Sequence, residues 1–172
     1  MTRPESRHVT LPQMLARREA RWAEQLALQE TTGCPVVSLT MVSPGPVKTG
    51  EAIRRCFCAG LSAVEAELDA HGWDVEARVA VDDITGPEAL LAVRAPETDL
   101  KHAMVAIEND APWGRLWDID VIVDGHPLTR GSVGALGRRC LICTQAAKVC
   151  ARARRHSAEE LEAAVAAVMT RV

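Results

Sequence analysis

The sequence contains no tyrosine, one phenylalanine and four tryptophans among 172 residues. Aromatic rings therefore cannot fill an interior, and leucine, valine and alanine must do so. No apolar run reaches the roughly 18 residues that a bilayer-spanning helix requires. The opening MTRPESRHVTLPQ lacks the apolar centre of a secretory signal. There is no excess of positive charge either: 20 Lys and Arg stand against 23 Asp and Glu, a formal net charge of −3, which argues against a general nucleic-acid binder. Neither a membrane nor nucleic acid is thus an expected partner, and the cytoplasm is the expected compartment. There the six cysteines should stay reduced. What is present suits a packed protein: 48% hydrophobic residues and a length that fits one domain over 1–172.

Periodicity supplies the elements. Thr10 and Gln13 form a capping-box pattern ahead of Leu11, Met14, Leu15, Trp22 and Leu26 at helical spacing, and Gly33 ends that segment. Residues 35–42 read as a buried strand, broken by SPGPVKTG. A helix is predicted from about 51 to 70, with Ile53, Phe57, Leu61, Val64 and Leu68 as its apolar stripe. Residues 74–82 alternate as a strand, Gly86–Pro87 reads as a turn, and a partner strand is expected over 90–93. A helix follows Pro96, a strand covers 115–123, and Asp124–Gly125 sits where a two-residue hairpin turn would let HPLTR fold back. Ser157 and Glu160 form a second capping box before a helix from about 158. The order α-β-α-β-β-α-β-β-α implies an α+β domain with a mixed or antiparallel sheet and flanking helices.

Within GRLWDIDVIVDG, Asp118 and Asp120 lie two residues apart on a strand and project to one side, about 7 Å apart at Cα. Two like charges so placed repel, and aspartate is a poor strand former. A divalent cation between them removes both objections. Mg²⁺ takes carboxylate oxygens and completes its shell with waters or substrate phosphates, which suits phosphoryl or nucleotidyl transfer. The plainer alternative is a wet sheet face opposite Trp117, Ile119 and Val121. Arg115 serves either account, as a phosphate ligand or as a partner for an aspartate.

The segment RRCLICTQAAKVCARARRH, residues 138–156, places Cys140, Cys143, Cys150 and His156 in a row and leads into the last helix. Three thiolates and an imidazole suit tetrahedral zinc. The gaps after the C-x2-C start match no common zinc spacing, and small cysteines packed beside Leu141 and Val149 are the alternative. The same stretch carries Arg138, Arg139, Lys148, Arg152, Arg154 and Arg155 with no intervening acid. A polyphosphate, an acidic protein surface such as an acyl carrier protein, or plain solvent could face such a run. Lys48, beside a helix start, is a weaker anion-site candidate.

Taken in order, VSLTMVSPGPVK, TGPEALLAV, GRLWDIDV and RRCLICTQAAKVCARARRH resemble the holo-acyl-carrier-protein synthases of citrate lyase, also described as apo-citrate lyase phosphoribosyl-dephospho-CoA transferases. The resemblance covers nearly the whole chain. It implies a nucleotidyltransferase-like enzyme that moves a prosthetic group from 2′-(5″-triphosphoribosyl)-3′-dephospho-CoA to a serine of the acyl carrier (gamma) subunit, with loss of pyrophosphate. By that analogy Asp118 and Asp120 take Mg²⁺, and Arg115 and Lys48 hold non-transferred oxygens. Arg138, Arg139 and Arg152 then bind the triphosphate or the carrier. The nucleophile belongs to the partner, in keeping with the lack of a convincing Ser-His-Asp or Cys-His arrangement here. Glu88, Glu108 and Asp82 are unranked candidates for the base. The chain departs from the resemblance at Ala111, where histidine is expected, and at Trp113, where leucine is. Two competing readings are the same transfer to a malonate decarboxylase carrier subunit and a non-catalytic, zinc-stabilised binding module.

Overall fold

The computed structural model describes residues 8–170. Helix α1 (Leu11–Thr32) begins in the expected capping box: the Thr10 side chain accepts from the Gln13 amide, and the Gln13 side chain accepts from the Thr10 amide. It ends at Gly33, whose φ of 65° only glycine adopts without strain. Strand β1 (Val36–Met41) follows, then α2 (Glu51–His71), the hairpin β2 (Asp74–Asp83) and β3 (Gly86–Arg94), and α3 (Glu97–Asp110). Strands β4 (Trp117–Val123) and β5 (His126–Pro127) precede α4 (Ala147–Ala153) and α5 (Ala158–Met169). The strands form one sheet in the order β2-β3-β1-β4-β5, and every neighbouring pair is antiparallel. The α+β expectation therefore holds, in its antiparallel form.

Three local expectations change. The β2–β3 turn is Ile84–Thr85 rather than Gly86–Pro87: Gly86 already pairs with Asp83, and the Asp83 carboxylate accepts from the Thr85 amide at 2.7 Å. Residues 114–116 form a 3₁₀ turn, not the start of β4, because Gly114 packs under the end of α3, where a Cβ would stand 2.5 Å from the Ile107 carbonyl. Helix α4 is additional. By contrast Asp124 and Gly125 both have positive φ, 48° and 75°, as a two-residue hairpin turn demands.

The two faces of the sheet differ. One carries Val37, Leu39, Leu91, Ile119 and Val121 and packs on α2, α3 and Val165 of α5 as the main core. The other bears a smaller cluster, Cys34, Val36, Leu90, Ala92 and Ile122, beneath Leu28 of α1. Register explains where that cluster stops. Val36 pairs with Ile122, but the next rungs on that face are Ser38 with Asp120 and Thr40 with Asp118. Helix α1 covers this polar end with Arg17, Arg21 and the buried Gln25, and leaves Leu11, Leu15 and Trp22 exposed.

Candidate active site

The site is built on an unfinished edge. β5 pairs with β4 only at Ile122 and Val123, and the Leu128 amide reaches the Val121 carbonyl at 2.8 Å, so residues 117–120 have backbone groups with no strand to meet. Side chains supply the partners. Glu108 of α3 accepts from the Ile119 amide at 2.8 Å, Lys101 of α3 donates to the Ile119 carbonyl at 3.3 Å, and Arg138 donates to the Trp117 carbonyl. Arg138 and Arg130 also ion-pair with Glu108, which is 3% exposed. An unpaired carboxylate could not be buried so deeply, and two guanidiniums make the burial tolerable.

Asp118 and Asp120 project from this stretch to the same side, as their spacing requires, and each side chain keeps about half its exposure, 52% and 48%. They line a concavity of about 210 Å³ together with Ser38, Thr40 and, from α1, Arg18, Arg21 and Trp22. Partial burial, and after it the Asp118 charge, push the Asp120 carboxyl above the usual carboxylate range. Burial likewise pushes the Lys101 ammonium down, although its Nζ is 3.9 Å from Asp120. Arg138 Nη1 is 3.5 Å from Asp118. The carboxylates are thus flanked by cations without being closed over by them. Two half-exposed oxygen donors beside two hydroxyls fit a hard divalent cation.

Arg138 also lines a larger cavity of about 500 Å³, with Arg115, Arg139 and Arg154 around apolar walls that include Val42 and Leu161. Arg115 donates to the Arg139 carbonyl, and burial, then the neighbouring Arg138 and Arg130 guanidiniums, push its own pKa down. The cavity is accordingly electropositive and sized for part of a phosphorylated ligand.

One wall of the cavity is the thiol–imidazole group. The Sγ atoms of Cys140, Cys143 and Cys150 and a ring nitrogen of His156 all lie within 4.8 Å of one another, so the four can hold a metal ion. A short turn brings them together: Arg139 bridges to Ala146, and the Cys140 amide donates to the Gln145 carbonyl. Cys150 comes from α4, and the left-handed Arg154, φ 46°, reverses the chain to return His156. The Cys143 and Cys150 sulfurs are 3.5 Å apart, close to the roughly 3.8 Å between thiolates on a tetrahedral zinc. His156 Nε2 is buried with no hydrogen-bond partner among the described residues, an orphan that a metal would satisfy. A hydrogen bond from the Gln145 backbone, then the adjacent His156 and Cys150 side chains, hold the Cys143 thiol down at about 6. Burial and the neighbouring thiols push Cys150 up to about 11.

Other expected residues lie elsewhere. Lys48 donates to the Ser43 carbonyl and lines neither concavity. Arg152 is exposed, whereas the cavity takes Ala147, Cys150, Ala151 and Arg154 from this segment. Among the candidate bases, Glu108 is engaged by both its oxygens, Glu88 by Arg17 and Arg21, and Asp82 by Arg54. None of the three lines either concavity. Sequence reasoning missed Ser38, Thr40, Lys101 and the α1 arginines. Ser38 and Thr40 had a signal, two polar residues at period two inside an apolar strand; Lys101 and the arginines had none.

Carboxylates beside guanidiniums, with a second cationic cavity reached through Arg138, are chemically compatible with transfer of an anionic group. Comparison with known proteins agrees with that class. Residues 9–172 match the family described as Apo-citrate lyase phosphoribosyl-dephospho-CoA transferase. A protein of that name from Escherichia coli O1:K1 is 41% identical over 154 residues, covering 89% of this chain and 84% of the relative. One from Shigella boydii serotype 18 is 40% identical over the same shares. These are transferases by name. The chain belongs to the apo-citrate lyase phosphoribosyl-dephospho-CoA transferase family.

Proposed function

We propose that this chain, acting as one transferase domain with a nucleotidyltransferase-like site, moves the phosphoribosyl-dephospho-CoA group from 2′-(5″-triphosphoribosyl)-3′-dephospho-CoA to a serine of the apo-citrate lyase acyl carrier subunit. The serine oxygen forms a bond to the α-phosphorus, the bond to the β-phosphate oxygen breaks, and pyrophosphate leaves. The serine proton passes to solvent or to the leaving group. The observation that carries this reading is the half-exposed pair Asp118 and Asp120 on one face of β4, linked through Arg138 to the arginine-lined cavity.

In this reading Asp118 and Asp120 would hold Mg²⁺, which supplies charge neutralisation at the triphosphate when bound. Arg138 lies between the two concavities and steadies the non-transferred phosphates. Arg115 and Arg139 hold the donor from the larger cavity by paired guanidinium contacts. Lys101 orients Asp120, and Glu108 holds Arg138 in place. Lys48 and Arg152, which line neither concavity, are given no role in this reading. The thiol–imidazole group would hold zinc, and its role is structural: it ties the 139–146 turn to α4 and so fixes the cavity wall that carries Arg139 and Arg154.

The test is mass spectrometry of apo-carrier subunit incubated with the protein, donor and Mg²⁺. The expected result is one added phosphoribosyl-dephospho-CoA mass. Asp118→Asn and Asp120→Asn should each lower transfer by about a thousandfold, a loss of about 4 kcal/mol in transition-state stabilisation, with unchanged circular dichroism. Near-normal modification by both variants would refute the assignment. For the second site, purified protein should contain one zinc per chain, lost in Cys140→Ser. Metal-free yet fully folded wild-type protein would rule zinc out.

A further inference from the structure

We propose that the exposed flank of α1 is the docking surface for the carrier subunit, an inference that rests on the transfer reading above. Three large apolar side chains stand on this helix in the open: Leu11 at 71%, Leu15 at 49% and Trp22 at 56% exposure. Their spacing of four and seven residues puts them on one stripe, with Arg18 between Leu15 and Trp22. The stripe runs about 16 Å, three turns of helix. A surface helix ordinarily turns such residues inward.

Charge points to the occupant. Arg17 is paired with Glu24 and Glu88, and Arg21 with Glu88, but Arg18 makes no ion pair among the described residues. An apolar stripe centred on one uncompensated guanidinium complements a partner helix with apolar residues and a carboxylate.

Position singles out the carrier. Arg18 and Trp22 form the rim of the concavity that holds Asp118 and Asp120. A protein seated on the stripe therefore brings its own side chains to those carboxylates. In-line displacement at phosphorus sets the attacking oxygen and the leaving pyrophosphate on opposite sides. Arg138, which lines the larger cavity, reaches Asp118, while Arg18 and Trp22 of α1 line the concavity of the carboxylates and no part of the larger cavity. The donor then enters along the arginines, and the carrier serine arrives over α1.

The experiment measures binding of purified apo-carrier subunit by calorimetry, without donor or Mg²⁺, to wild-type protein, Leu15→Glu and Arg18→Glu. Both sites are exposed on a helix, so both variants should fold, as circular dichroism would check. The expected result is at least tenfold weaker binding by each, and for Leu15→Glu, which lies off the carboxylate concavity, a KM for carrier raised at least tenfold while the KM for donor stays within twofold. Asp118→Asn should bind carrier like wild type. Three results would overturn the docking assignment: unchanged carrier affinity in both variants, a raised KM for donor instead, or a wild-type dimer lost in Leu15→Glu with carrier affinity intact. Stripe-dependent carrier binding by a wild-type protein that transfers nothing would support docking and remove the transfer reading alone.

Discussion

Helices α1 and α2 are nearly equal in length, 22 and 21 residues, yet they bury opposite chemistry. α2 turns Cys56, Phe57, Val64 and Leu68 inward and brings Gly60 against the Trp117 ring, whose Nε1 donates to the Cys56 carbonyl at 2.9 Å. α1 turns Arg17, Arg21 and Gln25 toward the sheet and leaves Leu11, Leu15 and Trp22 exposed along its flank. What anchors α1 is polar: Glu88, 5% exposed on β3, meets both arginines, and Gln29 bridges the Ile122 carbonyl and the Gly125 amide of the β4–β5 hairpin. One helix is held by apolar burial. The other is held by charge and hydrogen bonds over a floor that must stay polar for Asp118 and Asp120.

The sharpest way to break this contrast is to remove the anchor. Glu88→Ala leaves Arg21 without a carboxylate and Arg17 with Glu24 alone, both over a surface from which the buried charge has gone. The expected loss is about 3–5 kcal/mol, read as a lower urea midpoint at unchanged slope. A loss below 1 kcal/mol would mean that α1 is held by its few apolar contacts after all. On α2 the counterpart is Leu68→Ala. Leu68 is 1% exposed in the main core, and its truncation should cost about 2–5 kcal/mol through lost burial and the cavity left behind. Added salt should leave that cost unchanged.

The contrast also marks what the sequence could reveal. Both capping boxes, Thr10–Gln13 and Ser157–Glu160, are local, and both are present. The Asp124–Gly125 turn was legible for the same reason, since two successive left-handed residues are costly for most side chains. The alternation around Asp118 and Asp120 put both on one face, because strand period is a covalent property. The facing of α1 was not legible. Helical spacing groups Leu11, Leu15 and Trp22 but does not say whether their side of the helix meets the sheet; Glu88, 71 residues beyond Arg17, decides that. Helix α4 was hidden because it is one of the short elements, with no side-chain cap at Ala146. The reach of Arg138 to Glu108 and Asp118 depends on a fold-back 20 to 30 residues long, which no local pattern encodes.

The smallest expected effect tests the contrast from the other side. Leu15→Ala removes the same atoms as Leu68→Ala, and alanine is if anything the better helix former. If hydrophobic side chains on α1 contributed to the fold as those on α2 do, the two substitutions would cost similar amounts. Leu15 is 49% exposed, so much of its surface already meets water in the folded state, as all of it does in the unfolded chain. Its removal should therefore change stability by no more than about 0.5 kcal/mol, measured by the same urea titration. A loss near that of Leu68→Ala would show Leu15 covered by another part of this chain or by a second copy, and the stripe would then be structural rather than free for a partner. Stability unchanged alongside weakened carrier affinity would separate the two roles: α1 keeps its fold through Glu88 and keeps its apolar side for something outside the chain.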